Sequence, residues 1–321
     1  MPSPVHLVSV FRSAVGGTEW HTLSLFEVLA EYTEVHLWTE YKADPLLSGR
    51  YPIRTIQPER RVFPKGGTIV FVGVFFGLGS WIREAAPSRV VVFFNTPDFD
   101  RLPEFLEGLR AAGVENIEVA YQAEHYRDMF PDLPGPVHPS PIDLSVFAPN
   151  PKPHEGFVVG RFSRDNPGKH HVDNAALYHR LLDAGCQIRI MGGLLQREAI
   201  SDERVELLEA GSIPPNEFLS GLDCFLYRID AQLYEAFGRV VAESMACGVP
   251  VVAEDRGGYT QFIRSGENGF LFQDNDEAFR QVLALRDDPG LRASMSAAGR
   301  QTIVELLSPE TQAEMAEFYY R

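Results

Sequence analysis

Two series of short apolar runs, several of them followed by a segment of helical period, constrain the fold of this 321-residue chain more than any other feature. In the first series, β-branched and aromatic residues cluster at 5–11, 34–39, 53–56, 69–73, 90–94 and 117–121. Segment 18–31, between the first two runs, carries Leu23, Phe26 and Leu29 on one helical face. Strands that alternate with helices favour a parallel sheet with crossover helices. We therefore predict an α/β domain.

The alternation stops at residues 131–153, which are rich in proline, and then restarts. We predict further strands at 156–159, 187–191, 224–227 and 249–253, and helices at 172–184, 215–221, 238–247, 276–286 and 291–307. A proline-rich segment without helical period is typical of an interdomain connection. The sequence thus predicts two Rossmann-like domains, 1–148 and 149–300, with a C-terminal helix at 301–321 that returns to the first. Since ligands bind beyond the carboxyl ends of parallel strands, we expect the domains to face each other across a ligand-binding cleft.

Charge and composition exclude several other classes of protein. A net charge of −15 argues against binding of nucleic acid through its phosphates. Cys186, Cys224 and Cys247 lie far apart and lack the spacing of a zinc site. The N-terminal sequence lacks the charged and apolar regions of a signal peptide, and the longest apolar run, 69–82, is shorter than the ~20 residues of a membrane-spanning helix. We expect a soluble cytoplasmic protein; peripheral contact with a membrane stays open.

The strongest functional signal is the segment 234–243, Tyr-Glu-Ala-Phe-Gly-Arg-Val-Val-Ala-Glu, which follows a predicted strand and enters a predicted helix. In a continuous helix, Glu235 and Glu243 would lie ~12 Å apart. That distance is too long for an acid and a base acting on one bond, but it suits the two ends of an elongated ligand. Phe237 and Gly238 at the helix entry would leave backbone N–H groups free for an anionic or hydroxyl-rich ligand.

This Glu-x7-Glu pattern resembles the signature of the retaining glycosyltransferases of the GT-B fold, the family 4 or glycosyl transferases group 1 type. The continuation at 244–253, Ser-Met-Ala-Cys-Gly-Val-Pro-Val-Val-Ala, is similar to the EAMACGxPVVA segment of that family. Residues 257–258 and 266–271 are similar to its glycine loop and its GxNGxL turn. The resemblance covers residues 156–275.

The resemblance implies roles for the residues of this segment. Glu243 would accept hydrogen bonds from the ribose hydroxyls of a nucleotide-sugar, and Glu235 would lie beside its sugar. The sugar hydroxyls would be held by backbone amides of the turn Ala236, Phe237, Gly238 and Arg239. The alternative interpretation is that both glutamates only cap and solvate a helix.

A basic loop forms the second candidate site. Arg161 and Lys169 follow the predicted strand 156–159, and two cations at the carboxyl end of a strand can bind a diphosphate and stabilise its developing charge. The loop resembles the GRLxxxKG motif of the family, whose Arg and Lys contact the donor phosphates. The separation here is longer and Arg164 intervenes, so Arg161, Arg164 or both would reach the phosphates. We predict Arg161, Lys169 and Glu235 as the catalytic residues; a solvated basic loop is the alternative.

Three further donor-binding residues are predicted with weaker signals. Residues 210–217 are similar to the family segment that borders the base, where Ile213 would offer its main chain. Gly16 and Gly17 open a helix after the first strand, where glycines allow close approach of a ligand and a helix start favours a phosphate. A plain loop and a tight turn are the alternatives. The glycines do not form GxGxxG, so the fingerprint of nicotinamide binding is lacking.

No metal or cofactor is expected. The family often has a histidine after the fourth or fifth strand of the first domain; here Asn95 or Asp98, which follow the strand 90–94, would occupy that place. Residues 98–100 form an Asp-x-Asp, but so short a pattern arises readily by chance in an acidic chain, and a basic phosphate clamp makes a divalent metal unnecessary.

The resemblance therefore implies a retaining hexosyltransferase, of the kind used in polysaccharide biosynthesis, that takes its sugar from a nucleotide-sugar. A UDP-sugar is favoured, and the acceptor would be a glycan, a lipid-linked sugar or a small molecule. A nucleotide-sugar epimerase or phosphorylase of the same fold, and a non-catalytic carbohydrate-binding protein, are the alternatives.

Overall fold

The computed structural model describes residues 3–321 and contains two parallel six-stranded sheets. Residue contacts divide the chain into two compact units. The first takes in the chain up to Pro141 together with Leu307–Arg321, and the second is Ile142–Leu306.

These boundaries differ by a few residues from the sequence-based ones at 148/149 and 300/301. Arg300 explains the earlier start of the second unit. Its guanidinium donates to the backbone oxygens of Phe147 at 2.6 Å and Leu144 at 3.2 Å, which attaches this segment to the second unit.

The first unit has strand order β3-β2-β1-β4-β5-β6, with every pair parallel. Its strands are β1 Val5–Val8, β2 Val35–Thr39, β3 Ile53–Thr55, β4 Thr68–Val72, β5 Arg89–Phe94 and β6 Ile117–Tyr121. Its helices are α1 Gly17–Ala30, α2 Pro45–Ser48, α3 Trp81–Ala85, α4 Arg101–Ala111, α5 Glu124–Asp128 and, from the C-terminus, α11 Pro309–Tyr320. β5 is buried at every position, as expected for a central strand covered on both faces.

The second unit repeats this architecture with strand order β12-β11-β10-β7-β8-β9. Its strands are β7 Phe157–Phe162, β8 Cys186–Met191, β9 Val205–Leu208, β10 Cys224–Tyr227, β11 Val251–Glu254 and β12 Phe270–Phe272. Its helices are α6 Asn174–Asp183, α7 Pro215–Leu219, α8 Arg239–Ala246, α9 Asn275–Asp287 and α10 Pro289–Leu306. The predicted class, α/β with two Rossmann-like sheets, is confirmed.

The C-terminal helix α11 packs into the core of the first unit. Met315, Phe318 and Tyr319 are buried in that core. The Tyr319 hydroxyl and His138 Nδ1 lie 3.0 Å apart in a hydrogen bond, and Arg89 donates to the backbone oxygen of Phe318. Apolar contacts and buried polar contacts thus both fix the helix in this unit.

Sequence patterns missed the edge strands β9 and β12 and the helices α2, α3, α4 and α5. Both strands lie at the edges of their sheet and are only four and three residues long, too short to show a period. Among residues 3–321, no helix combines the length and the apolar composition needed to cross a bilayer.

Candidate functional site

Three loops at one edge of the second sheet hold most of the predicted site residues. β7, β10 and β11 are neighbours in this sheet and run parallel, so their carboxyl ends lie side by side. The loops that follow them are residues 163–170, 228–238 and 255–258. Two backbone hydrogen bonds connect the loops, from Asp230 to Gly168 at 3.1 Å and from Gly258 to Glu235 at 2.7 Å.

Lys169 and Glu235 form an ion pair between two of these loops. Lys169 Nζ lies 2.7 Å from Glu235 Oε2, and the side chains are 19% and 20% exposed. Tyr227, the last residue of β10, donates its hydroxyl to the same carboxylate oxygen at 2.6 Å. Asn166 caps the short 3-10 turn Pro167–Lys169 that carries the lysine. Two separate loops thus hold the ammonium and the carboxylate in contact.

The surroundings of Glu235 keep it ionised. Burial by itself raises the pKa of this carboxyl, but the Lys169 ammonium and the hydrogen bonds from Lys169 and Tyr227 outweigh burial and hold the pKa below its ordinary value. Burial and the nearby carboxylate raise the pKa of Tyr227 well above its ordinary value, so the phenol stays protonated and donates. Because an ammonium has three donors, Lys169 can contact Glu235 and a ligand oxygen together.

Arg161 occupies a different place from the predicted one. We expected it in the loop after the strand, but β7 continues to Phe162 and the Arg161 side chain is fully buried. Its guanidinium donates to the backbone oxygens of Lys169 and Arg228, each at 2.6 Å, and lies 5.0 Å from the centre of the Tyr227 ring. Arg161 therefore lies in the interior of the protein near the Lys169–Glu235 ion pair, and its charge faces the backbone carbonyl groups of Lys169 and Arg228.

Arg164 is the exposed arginine of the same loop. It forms no ion pair within 4.0 Å with any carboxylate among the residues that the structure describes. Its charge is one of the influences that lower the pKa of Glu235. Arg164 precedes Lys169 by five positions, which is also the separation of Arg and Lys in the GRLxxxKG motif. This spacing is the sequence signal that favours Arg164 over Arg161 as the counterpart of the motif arginine.

Glu243 lies inside α8 and pairs with Arg239, one turn earlier. Arg239 Nε lies 2.7 Å from Glu243 Oε1, and the side chains are only 12% and 7% exposed. Burial raises the pKa of Glu243, and the guanidinium opposes this effect. The acid predicted to bind a ribose is therefore part of a largely buried ion pair within one helix.

The residues between the two glutamates form a tight turn. α8 begins only at Arg239, and Gly238 adopts the left-handed region with a φ of +78°. A Cβ on Gly238 would lie 2.5 Å from the ring of Tyr259, so both the conformation and the packing require glycine. Ala236 and Phe237 in this turn are buried. The continuous helix that would separate the carboxylates by ~12 Å is therefore not formed.

Sequence reasoning missed Tyr227 and Arg256. The Arg256 guanidinium donates to several backbone oxygens in the loop that leads to Glu235, including those of Asp230 at 3.0 Å and Leu233 at 2.5 Å. One cation thereby fixes this loop. The only signals in the sequence are the positions of these two residues, one at the end of a predicted strand and the other just before the glycine pair 257–258.

Ile213 follows β9 and lines a cavity of about 420 Å³ together with Val158 and Arg189. Neither Lys169 nor Glu235 lines this cavity. The predicted contact between Ile213 and a base stays a prediction.

Gly16 and Gly17 belong to the first unit, at the start of α1. A Cβ on Gly16 would lie 1.8 Å from the carboxylate oxygen Oε2 of Glu19, so the missing side chain makes room for an acid of the same helix. An acidic side chain near the N-terminus of a helix is itself favourable. A phosphate bound at the start of α1 would therefore face the Glu19 carboxylate. A Cβ on Gly17 would meet no atom within 4 Å.

The positions considered for the missing family histidine also lie in the first unit. Asn95 donates to the Thr18 hydroxyl at 3.2 Å, and Asp98 is exposed. Within residues 3–321, no group of three or more His, Cys, Asp or Glu side chains could hold a metal ion.

Residues 149–302 match the family described as Glycosyl transferases group 1. The D-inositol 3-phosphate glycosyltransferase of Arthrobacter sp. (strain FB24) is 30% identical over 204 residues, which are 56% of this chain and 48% of that protein. The protein of the same name from Acidothermus cellulolyticus is 33% identical over 118 residues, which are 33% of this chain and 26% of that protein. The chain thus spans about half or less of the length of the curated relatives it matches.

Among solved structures, HepE from Anabaena in complex with UDP and glucose matches with a TM-score of 0.77 at 16% identity. The match covers 98% of this chain and 99% of HepE. At this identity, the likeness concerns the fold.

Proposed function

We propose that the chain is a cytoplasmic glycosyltransferase of the glycosyl transferases group 1 family, whose model matches residues 149–302, and that it moves a sugar from a nucleotide-sugar to an acceptor hydroxyl. The two Rossmann-like units, which share the fold of HepE, agree with the GT-B fold predicted from the sequence. The observation that carries the proposal is the ion pair of Lys169 and Glu235 at the carboxyl ends of β7 and β10.

The proposed donor is a UDP-sugar whose parts match the polar groups of the second unit. Glu235 is an ionised acceptor for a sugar hydroxyl, and Lys169 is a donor for a phosphate oxygen. Glu243 would accept a hydrogen bond from a ribose hydroxyl and would give up part of its contact with Arg239. UDP is favoured because HepE was solved with UDP and glucose.

The proposed reaction breaks the bond between the sugar C1 and the diphosphate oxygen and forms a bond from C1 to the acceptor oxygen. The leaving diphosphate gains negative charge, which the Lys169 ammonium stabilises. The proton of the acceptor hydroxyl passes to a leaving phosphate oxygen on the same face, so the anomeric configuration is retained. The acceptor is a glycan, a lipid-linked sugar or a small molecule, and no metal takes part.

A nucleotide-sugar panel tests the proposal. We expect one nucleotide-sugar to raise the thermal stability of the protein, because a ligand that binds only the folded state stabilises it by mass action. With this donor and a hydroxyl-bearing acceptor, nucleoside diphosphate should be released and a glycosidic product formed. NMR of the product then reports whether its anomeric configuration is retained.

Substitution of Glu235 tests whether the Lys169–Glu235 ion pair contributes to turnover. Glu235→Gln should lower turnover at least tenfold, as expected for loss of a charged hydrogen bond of about 1.5–3 kcal/mol. The control is Glu267→Gln, which changes a side chain that is 69% exposed.

The same assays distinguish a glycosyltransferase from an epimerase and from a non-catalytic binding protein. Conversion of the donor without any acceptor would indicate an epimerase. Stabilisation by a sugar ligand without turnover would indicate a binding protein, and either result would refute the proposal.

A further inference from the structure

A second group of polar side chains lies in the first unit, in the loops that follow β1 and β2. The two strands pair in parallel, from Val5 with Val35 to Val8 with Trp38, so their carboxyl ends are neighbours. The loops are residues 9–16 and 40–44. Ligands of α/β sheets bind at the carboxyl ends of the strands, and none of the donor contacts proposed above uses a side chain of these loops.

Both acids of the β2 loop are occupied by backbone amides. Asp44 accepts from the backbone amide of Ala14, in the β1 loop, at 3.2 Å. Glu40 accepts from the backbone amide of Gly77, in the loop after β4, at 2.9 Å. The backbone amide of Asp44 also donates to the backbone oxygen of Phe11 at 2.8 Å. The two carboxylates therefore connect three loops whose strands β2, β1 and β4 are neighbours in the sheet.

Arg12 is the cation of the β1 loop, and its side chain is exposed. The carbon of its guanidinium lies over the Tyr41 ring, 3.6 Å from the ring centre. Such a contact between a cation and an aromatic face is attractive and fixes the position of the guanidinium. Within residues 3–321, no carboxylate oxygen lies within 4.0 Å of its nitrogen atoms. The protein thus orients a guanidinium to which it supplies no acid.

The backbone directly before Arg12 is held in a conformation that residues other than glycine rarely adopt. Phe11 has a φ of +46°, in the left-handed region, and its side chain is fully buried in the core of the first unit. This conformation costs of order 1–3 kcal/mol and persists only where the surrounding structure fixes it. The turn places the Phe11 ring in the core and the Arg12 side chain at the surface, which indicates that the position of Arg12 is fixed for a purpose.

We propose that Arg12 binds an anionic group of the acceptor, so that the acceptor is a sugar that carries a phosphate or a carboxylate. This inference rests on the proposed function, since it assumes transfer to an acceptor hydroxyl. An oriented guanidinium offers two parallel N–H donors that match the oxygens of either anion. The diphosphate of the donor is bound separately, by Lys169 of the second unit in the proposed reaction.

Acceptor kinetics with sugars in neutral and anionic forms test the inference. The panel consists of glucose, galactose and mannose, their 6-phosphates and their uronic acids, and release of nucleoside diphosphate is followed at a saturating donor concentration. We expect a charged sugar to have a kcat/KM at least tenfold above that of its neutral parent, which corresponds to about 1.4 kcal/mol. Comparison of the 6-phosphate with the uronic acid shows which anion the site takes.

Variants of the two loops assign the preference to the guanidinium. Arg12→Ala should raise the KM of the charged sugar about tenfold with little change in kcat, because a contact made equally in the ground state and the transition state affects KM alone. The neutral parent should be used as by the wild type. Tyr41→Phe keeps the ring and should keep the preference, whereas Tyr41→Leu should reduce it. The control is Arg110→Ala, which removes an exposed arginine in the last turn of α4 and should change neither constant.

Equal use of charged and neutral sugars by the wild type, or use of none of the charged ones, would overturn the inference. Unchanged kinetics in Arg12→Ala would do the same. Titration with UDP separates the acceptor from the donor: Arg12→Ala should bind UDP as the wild type does, and a weaker affinity would assign Arg12 to the donor phosphates instead. A wild-type protein that binds none of UDP, GDP and ADP would refute the proposed function itself.

Discussion

Replacement of Arg239 by Met should destabilise the second unit by about 3–5 kcal/mol at neutral pH, the range for breaking a buried ion pair. The pair is largely removed from water, with 12% of Arg239 and 7% of Glu243 exposed and 2.7 Å between Nε and Oε1. The variant keeps the helix-compatible stem but leaves the Glu243 charge buried without its partner. Removal of both charges, in Arg239→Met with Glu243→Met, should restore stability, because an apolar pair of similar volume is often neutral or stabilising.

The loss should depend on pH in a defined direction. Burial raises the pKa of Glu243 in the folded protein, so its folded form binds a proton more readily than its unfolded form. The contribution of such a group to stability is present below the unfolded pKa and is lost as pH rises through the folded pKa. Without Arg239 the folded pKa rises further. The variant should therefore approach wild-type stability in acid and lose stability as pH rises above the ordinary value of 4.5.

The chain provides its own internal control for the measurement. All its tryptophans, Trp20, Trp38 and Trp81, lie in the first unit, so their fluorescence follows the unfolding of that unit. Hydrogen exchange of the amides of α8 follows the second unit. Arg264→Met, which breaks a pair whose side chains are 62% and 69% exposed, should change stability by less than about 1 kcal/mol.

Equal protection of the α8 amides in wild type and Arg239→Met at pH 7 would refute the reasoning. So would a double Met variant that is as unstable as the single one, because the loss would then come from packing and not from an unpaired charge.

Other predictions concern the loops and the chemistry. Lys169→Ala should lower kcat by about 10²–10³, or about 2.7–4 kcal/mol, in a coupled assay of nucleoside diphosphate release, and near-normal turnover would contradict its role. Gly258→Ala should abolish donor binding in thermal-shift titrations, because a Cβ there would lie 1.8 Å from the backbone oxygen of Ala236, whereas Gly17→Ala should fold normally. If both variants behave alike, the steric argument fails. Chelation with EDTA should leave the transfer rate unchanged, and a loss that Mg²⁺ or Mn²⁺ restores would show a metal requirement.

The sequence by itself determined the fold class and the positions of the loops that carry the candidate site. Central strands of a parallel sheet are covered on both faces, so β5 and β10 are apolar runs that stand out against their flanks. The predicted bounds of β6 and β10 are those of the structure. The edge strands β9 and β12 were not recognised, although they are largely apolar, because runs of four and three residues are too short to show a period.

Motif spacing also identified Lys169 and Glu235, which the structure brings into contact. Only the tertiary structure decided what surrounds them. The burial of Arg161, the hydrogen bond of Tyr227 and the loop contacts of Arg256 all depend on how neighbouring strands and their loops are placed side by side. The hydrogen bond from Arg161 to Arg228 joins residues 67 positions apart in the chain. A local sequence pattern contains no information on contacts between residues so far apart.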